Sequence, residues 1–139
     1  MSTILANVSC VAIAGRGVLI EGGPGSGKSS LALALIDRGA VLIGDDGVTL
    51  TSAGDRLLAT PPPNIAGLIE LRNVGLVRLA TTSAPLALVV CLDRAAPRHI
   101  DAAERVERAG SMLPCVRLDP ASPVLTLRAE YALKMHGLA

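Results

Sequence analysis

One eight-residue stretch governs what this chain can fold into. Gly22-Gly23-Pro24-Gly25-Ser26-Gly27-Lys28-Ser29 fits the pattern G-x-x-x-x-G-K-[ST]. A loop of this kind holds phosphate when a strand delivers the chain into it and a helix carries the chain away. Both flanks are readable. Val18 to Glu21 is short and apolar, as a buried strand is. Lys28 to Arg38 has helical spacing, with Leu31, Leu35 and Arg38 on one side and Gly39 placed to end it as C′ residue. The loop's glycines let successive backbone N–H groups turn inward around phosphate oxygens with no Cβ in the way. Lys28 brings a point charge to the β- and γ-phosphates, and the Ser29 hydroxyl is a ligand for Mg²⁺. Ser30 lies in the first helical turn, where the helix dipole meets the anion. Gly22 to Ser30 is therefore the expected nucleotide-binding segment, with ATP as the default nucleotide.

The remaining pattern is mixed. Val8 to Ile13 reads as a strand, followed by a turn at Ala14-Gly15-Arg16-Gly17. Ala40 to Ile43 reads as a strand that stops at Gly44-Asp45-Asp46-Gly47. Val48 to Thr51 and Arg56 to Ala59 read as a hairpin around Ser52-Ala53-Gly54-Asp55. Pro61-Pro62-Pro63 cannot lie in a central strand and marks an extended surface segment. Ile65 to Leu71 and Val74 to Leu79 are strand-like on either side of Arg72-Asn73. Leu86 to Leu92 is wholly apolar, as a central strand buried on both faces would be. Asp101 to Ala109 has helical composition, Cys115 to Leu118 reads as a strand, Pro120 to Pro123 as a loop, and Leu125 to Met135 as a last helix. With 139 residues and no repeat or linker, residues 1–139 are expected to form one domain.

Composition removes several function classes. The net charge is +1, too small for a dedicated nucleic-acid surface. With no Trp or Phe and one Tyr, base stacking is nearly unavailable. The longest apolar run, Ala84 to Leu92, is far short of a membrane span and contains Pro85. No basic stretch followed by an apolar one opens the chain, so no signal peptide is expected. Cys10, Cys91 and Cys115 are odd in number and form no Cys-x-x-Cys pair, which favours reduced thiols and a cytoplasmic location.

Phosphoryl transfer needs an acid besides the loop, to hold Mg²⁺ or to take a proton from the acceptor hydroxyl. Two candidates stand at strand ends. Asp93 follows the apolar run, as the acid of an ordinary P-loop kinase does. Asp45-Asp46 begins only seventeen residues beyond Lys28. Adjacent carboxylates repel unless a cation or shared proton relieves them, which favours the pair as a site.

Taken together, Gly17-Val18-Leu19-Ile20, the phosphate loop, Ser29 to Gly39 and Asp45-Asp46 resemble the C-terminal catalytic domain of HPr kinase/phosphorylase. The segment Ala66-Gly67-Leu68-Ile69-Glu70-Leu71-Arg72-Asn73-Val74-Gly75-Leu76 resembles that family's Glu-hydrophobic-Arg-Gly-hydrophobic-Gly signature. The likeness is strong from about Val8 to Leu79, and the length resembles the short form of the family. It implies an α/β P-loop fold of the HPr kinase/phosphoenolpyruvate carboxykinase type, a mixed sheet with flanking helices. It implies ATP- and Mg²⁺-dependent phosphorylation of a serine on the phosphocarrier HPr, with phosphorolysis as the reverse reaction, and assembly as a hexamer. Carried over by position, Lys28 contacts phosphates, and Ser29 and Glu70 match the Mg²⁺ ligands. Asp46, with Asp45 beside it, matches the acid/base, and Arg72 falls on the signature arginine. Three positions depart from the family: Asn7 stands where it has a His, Ser30 where an acidic residue is frequent, and Asn73 where the signature has Gly. Arg94, Arg98 and Arg105 are candidates for the family's further active-site arginine.

Two other functions compete. A nucleotide-binding regulator of the same fold would keep the loop and lose efficient transfer, as Asn7, Ser30 and Asn73 allow. An ordinary small-molecule kinase would depend on Asp93. The histidines, His99 near an expected helix start and His136 in the last helix, are expected on the surface. So are Arg105, Arg108, Glu104 and Glu107, as one solvated helix face.

Overall fold

The computed structural model describes residues 2–139. Its chain order is β1 (Ser2–Ala6), β2 (Ser9–Ile13), β3 (Arg16–Glu21), α1 (Lys28–Asp37), β4 (Val41–Gly44), β5 (Gly47–Ala53), β6 (Arg56–Thr60), β7 (Leu68–Leu71), β8 (Gly75–Arg78), β9 (Ala84–Leu92), β10 (Glu104–Arg108), β11 (Ser111–Leu118) and α2 (Leu125–His136). The main sheet runs β1-β5-β6-β9-β3-β2-β4, and β11, with β10 beyond it, also joins β9. β7 and β8 form a separate two-stranded sheet.

β9 explains the architecture. One of its edges pairs in parallel along β3, from Gly17↔Leu86 to Glu21↔Cys91. Its other edge is divided. Ala84 and Pro85 pair antiparallel with β6, whereas Val89 to Leu92 pair in parallel with β11. The sheet therefore forks, and both faces of β9 are covered. Leu88, Val90 and Leu92 join one core with Leu31 and Leu35 of α1 and Ala129, Ala132 and Leu133 of α2. Leu86 and Val89 join a second core with Leu50 and Leu57 of the β5–β6 arm. β3 alternates in the same way, with Val18 and Ile20 toward the helices and Leu19 toward the strands. Two covered faces account for the unbroken apolar run in the sequence.

The mixed sheet with its two helices agrees with expectation. Both helices pack on one face of the sheet, and strands cover the other. One correction concerns the expected helix at 101–109, where strand β10 forms instead. Glu104 to Arg108 pair residue for residue with β11, and Ala109 and Gly110 turn the hairpin at φ +48° and +83°. Two successive positive φ values are the signature of the two-residue turn that matches strand twist. Helix propensity in a Glu/Arg-rich segment is worth only tenths of a kcal/mol per residue, and the β11 partner outweighs it. His99 accordingly starts no helix; its ring lies 3.0 Å from Asp101. Arg38 is exposed rather than inward, and its Nε donates to both Glu130 oxygens of α2 at 2.8 and 2.9 Å. Strand β1 had no counterpart in the sequence reading. Pro62 is buried, although its neighbours lie outside any strand.

Burial keeps two of the thiols neutral. Cys10 is raised well above the ordinary thiol range, and Cys115 is pushed up to about 11 from 9.0, chiefly by desolvation. Above pH 9 the unfolded chain loses these protons first. Stability is therefore expected to fall from about pH 9 to about pH 11, by about 1 kcal/mol per pH unit for Cys115 alone. Urea midpoints across that range should show the slope, and Cys115→Ala should make it shallower, with Cys10 carrying what remains; an unchanged slope would refute the assignment.

Candidate active site

The expected phosphate loop lies between β3 and α1. Gly25 and Gly27 have φ +72° and +104°, in the left-handed region where a side chain would be strained. A Cβ on Gly22 would stand 2.5 Å from Ser26 Oγ, so the loop closes tightly only over glycine there. Ser26 N–H donates to the Gly23 carbonyl at 3.1 Å, and Leu31 N–H reaches the Gly27 carbonyl to start the helix. The Lys28 ammonium donates to the Gly22 and Gly23 carbonyls at 2.9 and 3.0 Å, which curls it over the loop.

β4 ends beside the start of β2, and the two acids part there. Asp45 is buried, and its Oδ1 accepts hydrogen bonds from Ser29 at 2.7 Å and Ser9 at 2.9 Å. Asp46 is exposed, with φ +61°. Asn7 also has φ +61°, and its backbone N–H donates to the Asp46 carbonyl at 3.1 Å. The position where the resembled family has a His is thus tied directly to the exposed acid. Of two neighbouring carboxylates, one holds the loop serine and the other faces solvent.

The β7–β8 hairpin supplies the opposite wall. Asn7, Gly22, Pro24 to Ser30, Asp46, Glu70 and Arg72 line one open cavity of about 900 Å³, together with Leu33, Leu71 and Val74. Gly23 and Asp45 are the expected site residues that do not line it; they contact Lys28 and Ser29 from behind. Asp93 is elsewhere. Its carboxylate accepts from Ala95 N–H at 2.8 Å and Arg117 at 3.2 Å, beside a smaller cavity. Arg94, Arg98 and Arg105 are also absent from the phosphate cavity's lining.

The residues fit a nucleotide phosphate with magnesium. Ser26 Oγ is buried and has no partner among the described residues, an orphaned donor inside the loop. The Ser29 hydroxyl and the Glu70 carboxylate are hard oxygen ligands of the kind Mg²⁺ takes. Among the described residues no cluster of three His, Cys, Asp or Glu groups makes a metal cage.

Two supporting residues were missed in the sequence. Ser9 carried no motif. Arg108 was read as part of a solvated helix face, yet its Nε and Nη2 hold Glu21 bidentately at 2.7 and 2.6 Å. Glu21 is the residue before the loop, so the β10–β11 hairpin anchors the loop's root. This pairing raises the Arg108 pKa. Arg108→Ala is expected to cost about 1–3 kcal/mol, because Glu21 stays largely buried without its partner. A shift in urea midpoint measures it, and a change below a few tenths would show the pair to be idle.

Known proteins resemble this chain in sequence and in fold. The model of the HPr Serine kinase C-terminal domain matches residues 2–109. HPr kinase/phosphorylase of Shouchella clausii is 44% identical over 72 residues, covering 51% of this chain and 23% of that protein. The Mycoplasma mycoides subsp. mycoides HPr kinase/phosphorylase is 34% identical over 102 residues, 68% of this chain and 33% of that one. The chain thus spans about a quarter to a third of these curated relatives. The solved Hpr(Ser) kinase/phosphatase from Coxiella burnetii superposes with a TM-score of 0.80 at 25% identity, over 96% of this chain and 92% of that one.

Proposed function

Because the chain belongs to the HPr serine kinase C-terminal domain family, we propose that it transfers the γ-phosphoryl group of ATP to a serine hydroxyl of the phosphocarrier HPr. The observation that carries the reading is that Asp46 lines the same cavity as Lys28, Ser29 and Glu70. A carboxylate beside a phosphate loop can accept the proton that the attacking hydroxyl loses. Lys28 exchanges its two carbonyl partners for phosphate oxygens and neutralises charge there. Ser29 and Glu70 hold Mg²⁺, which would spread the negative charge of the transferring phosphoryl group. Arg72, on the hairpin opposite, offers a second cation to the same group. Asp45 keeps Ser29 oriented. Phosphorolysis, the reverse reaction, would have Asp46 return the proton to the leaving serine.

A second reading, a nucleotide-binding regulator with weak transfer, draws on Asn7. Its backbone is bonded to that of Asp46, and its side-chain amide can hydrogen-bond in the shared cavity but cannot carry a proton at neutral pH. Transfer of labelled γ-phosphate from Mg-ATP to HPr of the same organism separates the two. Labelled serine that disappears with Lys28→Ala supports the kinase. Tight Mg-ATP binding with no transfer to folded HPr would leave the regulator. The assembly that accompanies the kinase reading, a homo-hexamer, is checked by light scattering.

A further inference from the structure

Three elements meet on one carboxylate oxygen. Asp45 comes from the end of β4, Ser29 from the first turn of α1, and Ser9 from the start of β2. Both hydroxyls donate to Asp45 Oδ1, at 2.7 Å from Ser29 and 2.9 Å from Ser9. The strand pairing dictates the meeting. β2 and β4 are antiparallel, with Cys10 opposite Gly44 and a register shift directly after it, so Ser9 comes to lie against Asp45. Ser9 is 1% exposed and Asp45 7%. Neither has access to the cavity that Ser29 lines.

This arrangement has a chemical consequence for Ser29. A hydroxyl that commits its proton to Asp45 keeps its lone pairs for whatever lies on its other side, which is the cavity. It does so only while the carboxylate is held in one orientation. Ser29 alone holds it loosely, because the Cβ–Cγ torsion of a carboxylate has only a broad, two-fold preference of its own. Ser9 supplies the second point of attachment from a different element. A serine whose only service is to solvate a buried acid would act on stability alone. A serine that fixes the donor direction of Ser29 acts on cation binding.

We propose that Ser9 is a positioning residue for the divalent cation of the bound nucleotide, acting through Asp45 on the Ser29 hydroxyl. The inference rests on the reading of the cavity as a Mg-nucleotide site. Removing groups that orient a metal ligand typically costs about 10- to 100-fold in metal affinity.

The test is calorimetric titration of ADP, with and without Mg²⁺, into wild type, Ser9→Ala and Ser9→Cys, with thermal unfolding of each recorded. Ser9→Ala is expected to bind metal-free ADP within about twofold of wild type, while its Mg²⁺ affinity in the presence of ADP falls about tenfold or more. Ser9→Cys, equal in size and a weaker donor, should fall between them. Wild-type Mg²⁺ dependence in Ser9→Ala would overturn the proposal. So would equal losses of metal-free and Mg²⁺-supported binding, the mark of a merely structural role. If Ser9→Ala gives no cooperative unfolding transition, Ser9→Cys decides by the same criteria. Absence of any Mg²⁺-supported ADP binding in wild type would instead bring down the reading of the site itself.

Discussion

Asp46→Asn is expected to slow phosphoryl transfer to HPr by about 10²- to 10⁴-fold while leaving Mg-ATP affinity nearly unchanged, the range general bases supply. The substitution is unusually clean at this position. Asp46 has φ +61°, a conformation that Asn tolerates as well as Asp. Its backbone carbonyl, which accepts the Asn7 N–H, is untouched. Asp46 is exposed, so no buried partner is stranded. What is removed is a negative charge and the ability to accept a proton. Single-turnover transfer together with equilibrium nucleotide binding measures the two effects separately. A variant that retains more than half the wild-type rate would show that Asp46 is not the base.

Gly44→Ala is expected to be the most damaging small substitution for the fold, destabilising by about 3 kcal/mol or more, at the upper end of overpacking costs. A Cβ at this position would lie 2.0 Å from the Gly47 carbonyl oxygen and 3.1 Å from Pro62 Cδ. The first of these is backbone, which cannot step aside by changing rotamer. Relief requires opening the turn from Gly44 to Gly47, and that turn carries both Asp45 and Asp46. Stability and transfer should therefore fall together. Gly23→Ala is the matched control, since its Cβ would meet nothing within 4 Å. Chemical denaturation of the two variants gives the comparison, and equal midpoints would refute the steric argument.

What was legible in the sequence divides by range. The strand, loop and helix around Lys28 were readable because their signals are local: glycines at defined offsets, then helical spacing ended by Gly39. The apolar run of β9 announced a doubly covered strand without revealing that strands cover one face. The segment at 104–108 misled because charged, helix-favouring residues were judged alone. Their state is decided by β11, and the only local hint was the Ala109-Gly110 turn. β1 is a short, largely exposed edge strand, Ser-Thr-Ile-Leu-Ala, with little alternation to read. At the site, Asp45 and Asp46 were recognised as a pair, but their division of labour depends on which side chain meets Ser29. Ser9 and Arg108 act through partners 36 and 87 residues away, so no motif could mark them.

The isolation of the β7–β8 hairpin gives the molecule two rates of opening. β9 is locked on both edges, so its amides should exchange with solvent deuterium only when the whole fold is lost. Among the described residues β7 and β8 hydrogen-bond as strands only to each other, and Val74 in their turn and Leu76 on β8 are 76% and 69% exposed. Ile69 is the one buried apolar side chain on these two strands, so their amides should exchange by a cheaper local event than those of β9. Glu70 and Arg72 ride on that hairpin. The half of the cavity formed by the hairpin can therefore breathe while the phosphate loop, joined to β9 through β3, keeps its shape.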